Sequence, residues 1–178
     1  MFIILEYSVY LSPSTQENNI GVDNYGSEEY RMNQITDVLE QILKSQRYIV
    51  YRNDPNDNVR QIVEESNLLN PSIHVAIHSN ASNSNARGPE IFTNKKNTPG
   101  DRLAQYIYNE LISIYPDPEL GRGIKYTDVL YEVVNTNSPS VLIEIAFHDN
   151  VDDANFIINN IDRIAEAIAK GINKYFNK

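Results

Sequence analysis

Two predicted strands in this chain end in residues that bind metals or move protons. His78 closes the run 72–78, and His148 follows the run 141–147, which carries Glu144. The chain has no Cys and only three His, so any zinc site must use imidazole, carboxylate, amide or water. A histidine on a strand is most often a satisfied core residue. Two strands that end in His, one with an embedded carboxylate, nevertheless favour a metal site.

The run 72–78 has the pattern of a buried strand that leads into a polar loop. Its isoleucine and valine side chains alternate with His74, Ala76 and His78, which is the two-residue period of a strand. Ligands of open α/β sheets lie beyond the carboxyl ends of the strands. His78, the last strand residue, is therefore the candidate ligand. His74 lies deeper and is predicted to have a structural or supporting role.

Helical and strand patterns alternate along the chain. Strands are predicted at 7–11, 48–51, 72–78, the end of 87–92, 129–133 and 141–147, and helices from Ser27 and at 57–68, 101–115, 153–160 and 161–176. This alternation predicts an α/β fold with a mostly parallel sheet of about six strands flanked by helices. In such a sheet the strand carboxyl ends and the following helix amino ends share one edge, so the candidate residues should converge there.

Composition narrows the class of protein. The 178 residues are most simply one domain, residues 1–178, with 41% apolar content and a net charge of −9. The acidic balance argues against a general nucleic-acid binder. No run approaches the ~18 apolar residues of a membrane span. The N-terminal stretch 1–11 lacks a basic region and is interrupted by Glu6, so it is a poor signal peptide, and we expect a soluble protein.

Four segments together resemble the zinc-dependent N-acetylmuramoyl-L-alanine amidases of the type 3 family. They are Gly26-x-x-Glu29 opening a helix, Ser-Asn-x-x-Asn at 66–70, Ala-Ile-His-Ser-Asn-Ala at 76–81, and Pro-Ser-Val-Leu-Ile-Glu-Ile-Ala-Phe-His-Asp-Asn at 139–150. The similarity covers residues 7–176. The last two segments are specific only in combination. The run Ser12-Pro-Ser-Thr-Gln16 resembles clostridial and clostridial-phage members.

The resemblance implies a twisted sheet with one Zn²⁺ at its edge. It also implies hydrolysis of the amide between N-acetylmuramic acid and the first L-alanine of the peptidoglycan stem peptide. By position, Glu29 and His78 resemble two of the three protein ligands of the zinc, and Glu144 resembles the catalytic carboxylate. Zinc with three protein ligands lowers the pKa of a bound water to about 7, and a nearby carboxylate can move its proton.

The third zinc ligand is open at this stage. Family members carry a His in a Pro-Gly-His-Gly-Gly loop after the first strand, whereas this chain has Pro13-Ser-Thr-Gln-Glu17. Gln16 is the first candidate through its side-chain oxygen, His148 is the second, and water is the third. Ala146 also replaces a family Gly two residues after Glu144.

Each assigned residue has an ordinary alternative. Glu29 could be a first-turn acidic residue favoured by the helix dipole. A carboxylate in a buried strand is costly without a partner, so Glu144 could instead form a salt bridge to Arg87 or Arg122. Those two arginines, each beside a glycine, are candidates to bind stem-peptide carboxylates. Asn80 is a substrate-site candidate that shapes the loop after His78.

Three function classes follow. The first is a wall hydrolase. The second is a catalytically weak peptidoglycan-binding module with an incomplete zinc site, and the third is a metallohydrolase of soluble peptides. A phage endolysin, an autolysin and a sporulation lysin would share such a domain. Without a signal peptide, we expect release to the cell wall through a holin, at lysis or by signal-independent export. A separate wall-binding domain outside this chain is a further expected partner; nucleic acid and membrane are not.

Overall fold

The computed structural model describes residues 7–177, so residues 1–6 of the N-terminal stretch assessed as a signal peptide lie outside the description. Within that range the chain forms a single six-stranded sheet. Its strands are β1 (Ser8–Pro13), β2 (Ile49–Arg52), β3 (Ile73–Asn80), β4 (Glu90–Thr93), β5 (Gly123–Tyr126) and β6 (Ser140–Phe147). Their spatial order is β2-β1-β3-β6-β4-β5. The sheet is parallel except that β4 runs antiparallel to β6, which confirms the predicted mostly parallel sheet.

Helices cover both faces of the sheet. They are α1 (Glu28–Ser45), α2 (Val59–Leu69), α3 (Pro99–Ile114), α4 (Tyr131–Asn135), α5 (Val151–Asn159) and α6 (Ile161–Phe176), with a short 3-10 helix at Pro118–Leu120. The α1, α3 and α6 helices enclose the main core with the alternate apolar residues of β1, β3 and β6. The α2 and α4 helices lie over the other side, where Ala76, Val133 and Leu142 form a smaller cluster.

The strand predicted at 129–133 is wrong. Residues 131–135 form helix α4, and the edge strand after α3 is β5 at residues 123–126. The Thr127 hydroxyl accepts hydrogen bonds from the backbone N–H groups of Val129 and Leu130, which turns the chain just before the helix. A short apolar run has no period that separates strand from helix, and Val133 is the only apolar residue of 129–133 that is buried.

No helix within residues 7–177 is long and apolar enough to cross a membrane.

Candidate active site

A cavity of about 430 Å³ lies at the carboxyl ends of β1, β3 and β6. It holds His78 and Glu144, as the strand pattern predicts, together with Glu132 from α4. Gln16 from the loop after β1 also lines it, although its side chain is exposed. The rest of the lining is contributed by Ser12, Pro13, Ser14, Thr15, Val59, Ile62, Leu130, Tyr131 and Leu142.

Strand register brings the ionisable residues of the sheet together. His78 on β3 pairs with Glu144 on β6, and Glu144 pairs in turn with Glu90 on β4. Residues paired across neighbouring strands project on the same face of a sheet. One imidazole and two carboxyls therefore stand in a row across three strands.

The carboxylate that reaches His78 is that of Glu28, one residue before the predicted Glu29. Its Oε1 lies 2.8 Å from His78 Nδ1, and the two side chains are only 1% and 16% exposed. Ser27 caps α1 by accepting the N–H of Tyr30, which makes Glu28 the first helical residue. Glu28 lies one turn before the buried Met32 and therefore shares its inward face.

Glu29 lies about 100° further around α1 than Glu28, because an α-helix has 3.6 residues per turn. It is half-buried, and its backbone carbonyl accepts a hydrogen bond from Asn33. The structure thus brings His78, Glu144 and Gln16 of the predicted site together at one cavity, and places Glu28 where Glu29 had been expected beside His78.

The pKa values of Glu28 and His78 shift in opposite directions. Burial alone would raise the pKa of Glu28, but hydrogen bonds from His78, Ser14 and Asn19 outweigh it and lower that pKa below its ordinary value. Burial would likewise lower the pKa of His78. The hydrogen bond to Glu28 and the charges of Glu144 and Glu28 instead raise it. Each side chain therefore favours the charged form of the other.

Glu144 has the opposite environment. Its Oε2 is buried and meets no hydrogen-bond partner among residues 7–177. Burial raises the pKa of Glu144 to about 8; His78 opposes this rise, and the charges of Glu28 and Glu90 add to it. A buried polar atom without a partner is costly and calls for an explanation. Glu144 lines the same cavity as His78.

The sequence had offered an arginine as the partner of Glu144, but in the described chain neither candidate pairs with it. Arg122 donates through Nε to Glu90 Oε2 at 3.0 Å, and Asn80 donates to Glu90 Oε1 at 2.7 Å. The Arg122 side chain is 40% exposed and lies 5.1 Å from the Phe147 ring. Arg122 and Asn80 thus both bind Glu90, which pairs with Glu144 on the neighbouring strand.

Arg87 lies in a different depression from His78 and Glu144. Its guanidinium contacts the carboxylates of Asp117, Asp152 and Asp153 at 2.7, 3.4 and 3.3 Å. These contacts tie the loop before β4 to α5. The structure therefore does not bring Arg87 to the other predicted substrate-binding residues.

The two other histidines are buried and hydrogen-bonded through both ring nitrogens. His148, the second candidate for the third ligand, has Nδ1 2.8 Å from Ser79 Oγ and Nε2 3.1 Å from Asn19 Oδ1. His74 contacts Ser66 Oγ and Glu132 Oε1, each at 2.8 Å, which fits its predicted structural role.

The donor set fits a zinc ion in part. Within residues 7–177 no group of three or more His, Asp or Glu side chains has the arrangement of a metal site. Glu28 and His78 nevertheless supply one carboxylate and one imidazole in direct contact. These are ligand types that zinc accepts, and the unpartnered oxygen of Glu144 lines the same cavity. Gln16 or water would have to complete the shell.

Sequence reasoning missed Glu28, Asn19, Glu90 and Glu132. Helical periodicity could have found Glu28, because it precedes the apolar position Met32 by four residues. The other three depend on loop conformation, strand pairing and the unexpected helix α4, for which the local sequence carries no signal.

The chain is similar to known proteins in sequence and in structure. The sequence model of the Amidase_3 family, described as N-acetylmuramoyl-L-alanine amidase, matches residues 11–174. The germination-specific N-acetylmuramoyl-L-alanine amidase of Bacillus subtilis is 29% identical over 125 residues, which are 68% of this chain and 52% of that protein. The chain therefore spans about half the length of this curated relative.

Solved structures have the same fold. An N-acetylmuramoyl-L-alanine amidase from Clostridium difficile 630 superposes with a TM-score of 0.85 at 24% identity, covering 97% of this chain and 98% of that one. The CwlD amidase from Clostridioides difficile, solved in complex with the GerS lipoprotein, superposes with a TM-score of 0.83 at 25% identity, covering 97% and 99%.

Proposed function

Because the chain belongs to the Amidase_3 family of N-acetylmuramoyl-L-alanine amidases, we propose that it hydrolyses the amide between N-acetylmuramic acid and the first L-alanine of the peptidoglycan stem peptide. The observation that carries this proposal is Glu144, a half-buried residue with a raised pKa, whose buried Oε2 has no hydrogen-bond partner among the described residues. It pairs in register with His78, which Glu28 holds. A purely structural carboxyl at this depth would be expected to have a partner.

Glu28 and His78 are the residues proposed to hold Zn²⁺, with Gln16 or water completing the shell. When bound, zinc would polarise the amide carbonyl and lower the pKa of water. His78 can act as a ligand only as a neutral imidazole, so the raised pKa of His78 works against metal binding at low pH. The family resemblance implies the metal, and the two-residue donor pair supports it.

Glu144 is proposed to take the proton of the attacking water and to return it to the leaving amine of L-alanine. A carboxyl with a pKa of about 8 can both accept and donate a proton near neutral pH. Arg122 is 40% exposed and bound to Glu90, the strand partner of Glu144, and it is proposed to bind a carboxylate of the stem peptide. The apolar lining of Val59, Leu130 and Tyr131 would pack against the uncharged parts of the substrate.

The deciding experiment replaces Glu144 by Gln, which is nearly isosteric but cannot shuttle the proton. Turnover of purified walls, followed as turbidity loss and as new alanine amino termini, should fall by roughly 10²–10⁴. Zinc content should be unchanged, because Glu144 is not a proposed ligand. Near-normal lysis by Glu144→Gln would refute the catalytic assignment.

The metal assignment is tested in the same assay with two neighbouring glutamates. Glu28→Gln should lower the affinity for zinc. The loss should exceed the roughly 10–100-fold that is typical when only a supporting partner of a ligand is removed. Glu29→Gln is the matched control and should keep zinc and activity, since Glu29 lies about 100° around α1 from Glu28 and is not on the face that carries Met32. If Glu29→Gln loses zinc and Glu28→Gln keeps it, Glu29 is the ligand, as the sequence predicted.

One observation favours a second candidate, a catalytically weak peptidoglycan-binding module. The described residues contain no complete three-residue metal group. Such a module would sediment with walls without releasing alanine amino termini, whereas a hydrolase of soluble peptides would release amino termini from free peptides and leave walls turbid. The bacterial cell wall is the proposed place of action. A separate wall-binding domain is proposed as a partner of this chain.

A further inference from the structure

A continuous chain of hydrogen bonds runs from the core to the Glu28 carboxylate. Tyr25 OH lies 2.6 Å from Ser79 Oγ, which lies 2.8 Å from His148 Nδ1. His148 Nε2 lies 3.1 Å from Asn19 Oδ1, and Asn19 Nδ2 donates to Glu28 Oε2 at 2.7 Å. The chain joins the loop before α1, the end of β3 and the turn after β6.

The chemistry of these groups fixes the direction of every bond. Ionised Glu28 only accepts, so Asn19 must present its NH₂ to Glu28 and its carbonyl oxygen to His148. That oxygen accepts, so His148 must carry its proton on Nε2. Burial lowers the pKa of His148, which leaves the ring neutral and its Nδ1 free to accept from the Ser79 hydroxyl. Ser79 then accepts from Tyr25.

Backbone contacts hold the members of the chain in place independently of these side chains. Glu28 N–H donates to the Asn19 carbonyl at 2.8 Å, and Val22 N–H donates to the His148 carbonyl at 2.9 Å. Gly21 lets the loop pack this closely, because a Cβ there would come within 2.5 Å of the Tyr25 ring and 2.7 Å of the His148 carbonyl oxygen. The Asn19 amide is therefore presented to Glu28 by a fixed loop.

We propose that Asn19 and His148 are positioning residues that hold the Glu28 carboxylate with Oε1 directed at His78 Nδ1. Asn19 binds Oε2 of Glu28, so the other oxygen, Oε1, is the one that faces His78. His148 acts one step back by fixing the orientation of the Asn19 amide. The inference rests on the proposed function in taking a metal as the occupant of the position between Glu28 and His78. Partners that orient a metal ligand contribute strongly to affinity.

The first measurement is the zinc dissociation constant, determined by competition with a chromophoric chelator. Asn19→Ala and His148→Phe should each weaken binding by roughly 10–100-fold. His148→Gln should stay close to wild type, because the glutamine Nε2 can replace the imidazole donor. Asn18→Ala is the matched control: Asn18 is an exposed amide in the same loop whose side chain contacts Glu17, and binding should not change.

The second measurement needs no metal. Long-range ¹H–¹⁵N spectra of the chelator-treated protein should show His148 as the Nε2–H tautomer, and Asn19→Ala should alter the His148 and His78 signals. If Asn19→Ala does not fold, Asn19→Asp keeps the size, removes the donor and should show the same loss of affinity.

The outcomes separate this inference from the proposed function. Unchanged zinc affinity in a folded Asn19→Ala, or an Nδ1–H tautomer of His148, overturns the positioning roles while zinc binding by the wild type stands. A wild-type protein that binds no zinc overturns the proposed metal and, with it, the role of Asn19 and His148 in metal affinity.

Discussion

Glu144 combines burial with an oxygen that has no hydrogen-bond partner in the described part of the chain, and this combination has a cost in stability. In the folded, metal-free protein the pKa of Glu144 is about 8, against an ordinary value of 4.5. Between these two values the folded state binds the proton and the unfolded state does not. Stability must therefore fall as pH rises through this window, and the loss is complete above pH 8.

Removing that charge should stabilise the metal-free protein. We expect Glu144→Gln to raise the free energy of unfolding by up to about 4 kcal/mol at pH 8, since one pKa unit corresponds to about 1.4 kcal/mol and the carboxyl is half ionised at that pH. The difference should shrink towards zero at pH 4.5, where the wild-type carboxyl is neutral in the folded state. Chemical denaturation in chelator at both pH values measures this. A Glu144→Gln protein that is less stable at pH 8 would contradict the buried unpaired carboxyl.

At the residue scale, the sequence predicted that His78 and Glu144 meet at one cavity, whereas the carboxylate that contacts His78 is that of Glu28 and not of Glu29. Strand alternation placed His78 and Glu144 at the cavity, because the two-residue period of a strand leaves little freedom once its apolar face is known. Counting from Gly26 gave Glu29, whereas counting back from Met32 along the buried face of α1 gives Glu28. The helix face, not the motif spacing, decides which carboxylate points inward.

Among the secondary structure elements, β3, α2 and α4 are joined by a buried polar cluster around His74. Its ring contacts Ser66 on α2 and Glu132 on α4, and stacks on Tyr10 of β1 with ring centroids 5.0 Å apart. Burial would raise the pKa of Glu132, but the hydrogen bond and charge of His74 lower it below its ordinary value. This cluster holds the short helix α4 over the sheet beside the cavity.

Removing His74 should therefore destabilise the fold without emptying the metal site. Breaking a buried pair by deleting one partner typically costs about 3–5 kcal/mol, and we expect His74→Ala to lose stability in that range. His78→Ala is the comparison variant and should lose zinc while remaining folded. Thermal unfolding and zinc content of the two proteins test this. If His74→Ala loses zinc and His78→Ala keeps it, the two histidines have exchanged roles.

The same cluster explains why α4 could not be predicted. Only Val133 and Glu132 of this five-residue helix are buried. Glu132 can be buried because it forms a hydrogen bond with His74, which is 58 residues away along the chain. The long helices α1, α3 and α6 were predictable because each has several apolar residues on one face, whereas a single turn shows no period. Contacts between residues that are distant in sequence produce no local periodicity from which a helix could be predicted.

At the scale of the whole molecule, the net charge of −9 opposes the proposed polymeric substrate. Bacterial walls carry many carboxylate and phosphate groups, so protein and wall repel each other over distances set by the ionic strength. The Debye length falls from about 30 Å at 0.01 M salt to about 8 Å at 0.15 M. Repulsion between extended charged surfaces is thus largely screened at the higher salt concentration, while contacts inside the cavity are affected much less.

We therefore expect the lysis rate of purified walls to rise several-fold between these two salt concentrations, because long-range fields change association rates by about tenfold or more. Cleavage of a soluble, amidated muramyl peptide without carboxylates should change by less than about twofold, since it presents no extended charge to the protein. Walls stripped of their anionic polymers are the matched control and should show a weaker salt dependence than intact walls. A wall lysis rate that falls with added salt would contradict this prediction, because it would show that attraction rather than repulsion dominates the encounter.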